Sequence, residues 1–443
     1  MLISNEKSFE NKKFLVVMVT LLVTVVIDTS VVKINDLIDK FFIPLQSKLL
    51  LFSVNSSLVI LFQFIVIKYV TNAFKLARLN KSLRINTFYI ISITSLSLLA
   101  ILIGYLIFQL FSFSYYDTGI SISIIAISYG TAVVFISWLA FLFFSWFKLN
   151  HNLVVFLYFI SMAVIAINLI MTAAFTSAKV SDRPHHAGEY YGSSGDISGG
   201  KYQFLNDIYR ISSFMSFFCI WVTTAILMNS YREKLISSII YWIILSIPLV
   251  YFLITYSYQF ILSNILISYL QVDPVTVSII LGTFLSLSKP IGGLLFGLAF
   301  WKISKIISYE RNMKTAMIIA GWGILLIFSA NQAATLIVSP YPPFGLSTVT
   351  VLNLAAYLML LGIYNSAAQV SANNGLRKFI HKHALKLLNP IGEAELQKEI
   401  QRAVKKISEN KEIANLTTET SLELDEKELE KYLEQVIREV KKS

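Results

Sequence analysis

A single cysteine, Cys219, stands in 443 residues, so the chain can form neither an internal disulfide nor a thiolate cluster for a metal. Charge is scarce too: Asp, Glu, Lys and Arg make up 14% of the residues, against roughly 25% in soluble domains. What charge there is gathers at the C-terminus, where residues 377–443 hold 14 of the 37 Lys and Arg and 13 of the 26 Asp and Glu. No apolar segment carries the histidine or acidic clusters that intramembrane metal chemistry needs. The tail has no glycine-rich phosphate loop, and about 67 residues are too few for a catalytic domain of ordinary size. An enzyme is therefore not expected, and neither is a cofactor.

Long apolar runs fill the rest, giving 56% hydrophobic residues and a mean hydropathy of +0.66. Such runs, at about 20 residues per crossing, mark an all-α, polytopic helical membrane protein. Ten segments qualify: 14–34, 49–69, 87–112, 121–147, 153–175, 209–228, 237–257, 275–301, 315–338 and 348–368. Residues 1–376 form the transmembrane domain on this reading, and 377–443 a short, charged cytoplasmic helical tail. The apolar stretch "YQFILSNILISYL" at 258–270 is too short to span and reads as an interfacial or re-entrant piece. "NEKSFENKK" followed by "FLVVMVTLLVTVVI" has the basic-then-apolar form of a signal sequence, but no small-residue cleavage site follows, so a retained first helix is expected.

The basic loops fix the expected orientation. With the N-terminus inside, the inner gaps hold "KYVTNAFKLARLNKSLR", Lys148, Arg232 with Lys234, and "KISKIISYERNMK". The inner side of the membrane part collects 15 Lys and Arg and the outer side 7, as the positive-inside rule demands. A cell-membrane location with both termini cytoplasmic follows. The net charge of +11 is then mostly topological, suited to an anionic lipid surface. The basic loops lack the interleaved aromatics of a nucleic-acid reader, so the lipid bilayer is the expected partner and nucleic acid is not.

Two ionisable groups fall deep inside apolar segments. Lys289, in "LGTFLSLSKPIGGLLFG", lies roughly 18 Å from the inner edge of its span; Asp28, in "LLVTVVIDTSVV", lies roughly 21 Å from its own. An unpaired lysine at mid-span costs about 3 kcal/mol, so an Asp28–Lys289 pair is the expected remedy. Asn168 and Asn331 fall in the same depth band and would complete a polar site. Pro290 deletes a helical hydrogen bond and crowds the preceding turn, which predicts a break near 286–293 of the kind transporters use to build substrate sites. Gly293 and Gly297 offer the plainer role of a close-packing row.

Outside the spans, Asp182, His185, His186 and Glu189 have spacings open to a divalent metal, but a Gly- and Ser-rich loop fixes no geometry for them. "SPYPPFGLS" at 339–347 reads as a stiff turn. In the tail, "FIHKHALKLLNPIG" reads as a basic amphipathic piece on the inner leaflet, interrupted by Pro390 and Gly392. Leu396, Ile400, Ala403 and Ile407, and then Leu429, Leu433, Val436 and Val440, step by four, three and four. Such seams want a partner helix, either each other or a cytoplasmic protein.

Residues 289–380, with "KPIGGLLFGLAFWKISKII", "YPPFG" and "AAYLMLLGIYNSAAQVSANNGLRKFI", resemble a block recurring in uncharacterised archaeal multi-pass membrane proteins. That resemblance implies a membrane module and carries no activity or site. Two functions remain open: a sensory or scaffold module whose tail recruits a partner, and a secondary transporter or channel with a polar site at 286–293. Ten spans divide into two odd halves, which suits the inverted repeats of transporters, although the halves share no evident sequence likeness.

Overall fold

The computed structural model describes residues 13–29, 45–76, 83–181, 202–229, 238–257, 274–307, 310–332, 342–383 and 385–415. They form twelve helices and no strand. In chain order these are α1 (13–29), α2 (Leu45–Leu76), α3 (Leu83–Phe113), α4 (Thr118–Asn150), α5 (Leu153–Ser181), α6 (Gln203–Asn229), α7 (Ser238–Ser257), α8 (Pro274–Ile306), α9 (Arg311–Ala330), α10 (Leu346–Ala372), α11 (Asn374–Lys382) and α12 (Leu388–Asn415). Seven of them, α2 to α6 with α9 and α10, are long and apolar enough to cross a membrane. α1, α7 and α8 occupy the ranges of the other three expected segments.

Helices that live in water hide apolar residues; here the polar ones are hidden. On α3 the outward stripe is Ile90, Leu98, Ile101, Tyr105 and Phe108, while Ser92 and Ser95 face inward. α1 buries Phe14, Met18, Leu21 and Val25, a four-three-four stripe, and turns Leu15, Val19 and Val23 outward. A surface this apolar is compatible with lipid, and inward serines are what helix packing in a bilayer favours. Several hydroxyls bond back to a carbonyl one turn earlier, as Thr71 does to Ile67 (2.8 Å) and Ser366 to Gly362 (2.7 Å), so they need no partner on another helix.

α10 is the centre of the bundle. It packs against α2, α3, α4, α9, α11 and α12, and its apolar window is buried throughout. Lipid therefore reaches none of that window. Its polar residues reach outward to the shell instead: Gln63 of α2 donates to Thr350 (2.9 Å), and Asn353 donates to the carbonyl of Ser92 on α3 (3.3 Å). α9 runs alongside, closely enough that a Cβ at Gly362 would fall 2.7 Å from the carbonyl of Ala316.

Around this centre, local sequence sets the joints. α4 starts at Asp117, whose carboxylate accepts from Gly119 N (2.8 Å), a conventional N-cap. It ends at His151 in the left-handed conformation (φ 45°), and Asn152 then accepts from Val154 N (2.9 Å) to open α5. The α4–α5 hairpin is closed by Phe143 stacked on Tyr158 at 5.3 Å. α6 to α9 meet in an aromatic cluster, with Phe217 stacked on Phe252 at 4.2 Å and edge-on to Phe296 and Phe328.

Two expectations change here. α8 is helical without interruption from Pro274 to Ile306, so Pro290 does not break it. The proline removes one hydrogen bond, and the helix continues through it. Gly293 and Gly297 lie against α9, and a Cβ at Gly297 would sit 2.8 Å from the carbonyl of Gly321, so the close-packing role is the one realised. The second change concerns "FIHKHALKLLNPIG". Leu376, Ile380, Leu385, Leu387, Leu388 and Ile391 are buried in protein. Pro390 sits in the first turn of α12, where a missing N–H costs nothing, and Gly392 lets that turn press on Val370 of α10. α12 buries Leu388, Ile391, Ala394 and Glu395, whereas Leu396 and Ile400 of the expected seam are half-buried. The loop at 182–189, the stretch 258–270 and the second tail helix lie outside the described residues.

Candidate functional site

The two deep charges meet two helix ends, the start of α10 and the end of α9. Phe344 N donates to the carbonyl of Pro342 (2.8 Å), and Gly345 takes φ 89°, a conformation that favours glycine, to start α10. Gly345 is the N-cap of α10 and has no side chain to offer. Asp28, from α1, supplies the missing acceptor. Its Oδ2 accepts from Gly345 N (3.1 Å), Thr348 N (3.1 Å), the Ser347 hydroxyl (2.7 Å) and the Thr348 hydroxyl (2.7 Å). This is an N-cap donated by a different helix, and the carboxylate also meets the positive end of the α10 dipole. Asp28 is 1% exposed, and Oδ1 has no hydrogen-bond partner among the described residues.

Lys289 does the complementary thing at the other helix end. Asn331 caps the C-terminus of α9, and its carbonyl accepts from Lys289 Nζ at 3.1 Å. A cation at a helix C-terminus meets the negative end of the dipole. The same ammonium donates to the Tyr209 hydroxyl (3.4 Å) and lies 5.4 Å from the centre of that ring. The expected Asp28–Lys289 pair is thus not formed. Each charge meets a helix terminus of opposite polarity, Asp28 at the start of α10 and Lys289 at the end of α9, and hydrogen-bonds to backbone groups there.

The two asparagines hydrogen-bond to each other. Asn331 Nδ2 donates to Asn168 Oδ1 at 2.7 Å, and Asn168 Nδ2 donates to Ser212 Oγ at 3.1 Å. The Tyr129 hydroxyl reaches Asn331 Oδ1 at 3.4 Å. Asn331 is consequently a hub joining α4, α5, α8 and α9, with α6 attached through Ser212 and Tyr209. Lys289, Asn168 and Asn331 are joined by hydrogen bonds, Pro290 follows Lys289 in α8, and Asp28 stands apart at the start of α10. Tyr129, Tyr209, Ser212, Ser347 and Thr348 complete these networks. Serine and tyrosine are frequent in apolar segments, and nothing in their spacing singles these out.

A second polar contact fastens α12 at the opposite end of the bundle. Trp146 Nε1 donates to Glu395 Oε2 at 2.8 Å, both groups being buried, and Asn150 Nδ2 donates to the carbonyl of Pro390 at 2.6 Å. Lys398 and Arg402 each approach Glu395 at 4.0 Å. Nearby, partial desolvation and the neighbouring Glu395 push the Glu399 carboxyl above its ordinary value of 4.5, although Ser371, Arg402 and Arg377 pull the other way.

Chemically, these places hold amides, hydroxyls, an indole N–H, amines, a guanidinium and carboxylates. No group of three or more His, Cys, Asp or Glu among the described residues is placed to hold a metal. No protein-family model matches the chain, and no curated protein or solved structure matches it significantly. Fold and site together define a class: an all-helical protein whose seven long apolar helices fit a multi-pass membrane protein.

Proposed function

We propose that the protein is a sensory or scaffold module of the cell membrane, with ten spans and both termini cytoplasmic, whose tail recruits a protein partner. One observation carries the reading: the lipid-shielded helix α10 is held at its start by Asp28 and at its end by α12, through Gly392 on Val370. Anything that moves the Asp28 end of α10 is in line to move α12. The polar groups at 289, 331 and 168 support the same reading, because their hydrogen bonds join helices. The ten-span count adds α1, α7 and α8 to the seven long apolar helices.

The test is a distance measurement across the inner end. Spin labels at Asn312 and Gln401, in a Cys219→Ala background, report α12 against α9 in nanodiscs. Asp28→Asn should shift or broaden the distribution. An unchanged distribution, with the fold intact, would sink the coupling on which the reading rests.

A second reading, transport, is favoured by one observation: Lys289, unlike Asp28, is only partly buried, and its amine sits among amide and hydroxyl groups. Ion flux into proteoliposomes that is lost in Lys289→Met would move the assignment there.

A further inference from the structure

Beside the Glu395 contact, α4 and α12 diverge and leave a cleft of about 310 Å³. Its two walls differ in chemistry. Trp138, Phe141 and Leu142 of α4 form an apolar wall, and Lys398, Arg402 and Lys405 of α12 form a cationic one. Glu395, which accepts from Trp146, lies 4.0 Å from both Lys398 and Arg402 and does not itself line the cleft, whose charged lining residues are the three cations. Arg402 is half exposed, and Lys405 is exposed. The apolar wall does not stop at the cleft. Val134, Trp138 and Phe141 lie one helical face apart, four and three residues, and Val134 and Phe141 are 52% and 60% exposed on the outward surface of α4.

We infer that this cleft binds the headgroup of an anionic phospholipid from the leaflet on the α12 side. The phosphodiester meets the three cations, Arg402 supplying the forked donor that suits phosphate, and an acyl chain follows Val134, Trp138 and Phe141 into the bilayer. Ser145 and Gln401, which also line the cleft, place a hydroxyl and an amide where glycerol or ester oxygens would lie. The volume is at the low end of the roughly 300–1,000 Å³ of ligand sites, enough for a headgroup whose chains remain in the membrane. Free phosphate would leave the aromatic wall unmatched. An acidic peptide would have to reach the outward, apolar face of α4. A lipid with an anionic head matches both walls at once.

Native mass spectrometry of the full chain in an uncharged detergent tests this, with phosphatidylglycerol and phosphatidylcholine titrated separately. Phosphatidylglycerol should be retained at about tenfold lower concentration than phosphatidylcholine. Arg402→Gln/Lys405→Gln should abolish that preference. Both positions are exposed, and an unchanged melting temperature checks the fold. Lys302→Gln/Lys305→Gln, which removes two cations from α8, should leave the preference intact. Equal retention of the two lipids overturns the assignment, as does a preference that survives Arg402→Gln/Lys405→Gln. Displacement of phosphatidylglycerol by an equal concentration of inorganic phosphate also overturns it, since the site would then read the anion alone.

Discussion

Asp28 and Thr348 lie 320 residues apart, and one oxygen of the aspartate accepts both the N–H and the hydroxyl of the threonine, at 3.1 and 2.7 Å. A carboxylate on the first helix thereby completes the first turn of the tenth. The arrangement explains how a charge is tolerated among apolar segments: it is bound by four donors and a helix dipole, so no opposite charge is required.

Removing the acceptor should be costly. Asp28→Ala strands two backbone N–H groups and two hydroxyls without water, and should lower stability by about 3 kcal/mol or more. Asp28→Asn keeps an acceptor of nearly the same shape and should lose only about 1–2 kcal/mol. Steric-trapping or denaturant unfolding in bicelles measures both.

Because Asp28 and Lys289 have separate partners, their substitutions should add. The loss in Asp28→Asn/Lys289→Met should equal the sum of the single losses within about 0.5 kcal/mol. Rescue in the double variant would mean that the two groups neutralise each other directly, contrary to the geometry.

Asn168 and Lys289 should behave in the opposite way, since both act through Asn331. Asn168→Leu alone should cost about 1–2 kcal/mol, typical of an interhelical hydrogen bond in a membrane. Combined with Lys289→Met, the losses should fall short of additive by about 0.5 kcal/mol or more.

Trp146→Phe keeps the ring and deletes the N–H that Glu395 accepts. A buried carboxylate then loses a donor, for about 2 kcal/mol, and α12 should loosen from α4 and α10. Hydrogen exchange should rise in peptides covering 388–402 and stay level in α2 and α3.

The attachment of α12 should also depend on pH through Glu399. Its carboxyl, raised above 4.5 when α12 is packed, binds its proton more tightly in that state than in the released one. The released state therefore loses its proton first as pH rises, and packing weakens between 4.5 and the raised value. Exchange in α12 should be slowest at low pH and faster above that window, by a small amount because Glu399 is largely exposed. Glu399→Gln should flatten the dependence.

Much of this was legible in advance. Apolar runs at spanning length located the helices, because hydropathy is local and needs no partner. Lys289, Asn168 and Asn331 could be grouped because depth along a span is simple arithmetic. Their ligands could not be found that way. Asp28 seeks the end of α10, and a helix end is a feature of the backbone with no residue type to mark it. Pro290 misled for a related reason: a proline's local cost is readable, but the α8–α9 packing depends on Gly297 meeting Gly321, two positions on different helices. In the tail, leucines that look like a membrane-facing stripe are spent on α12's own seat, since an amphipathic face records only that something apolar covers it.

That α10 is enclosed on every side has a consequence for biogenesis. Helices are made in chain order, so the axial member of this bundle is made after α1 to α9. The described helices before it precede the groups of α10 that engage Asp28, Gln63 and the Ser92 carbonyl. A ribosome stalled before residue 345 would leave a ring without a hub. Completion of α10, rather than of α1, is the moment at which this bundle closes.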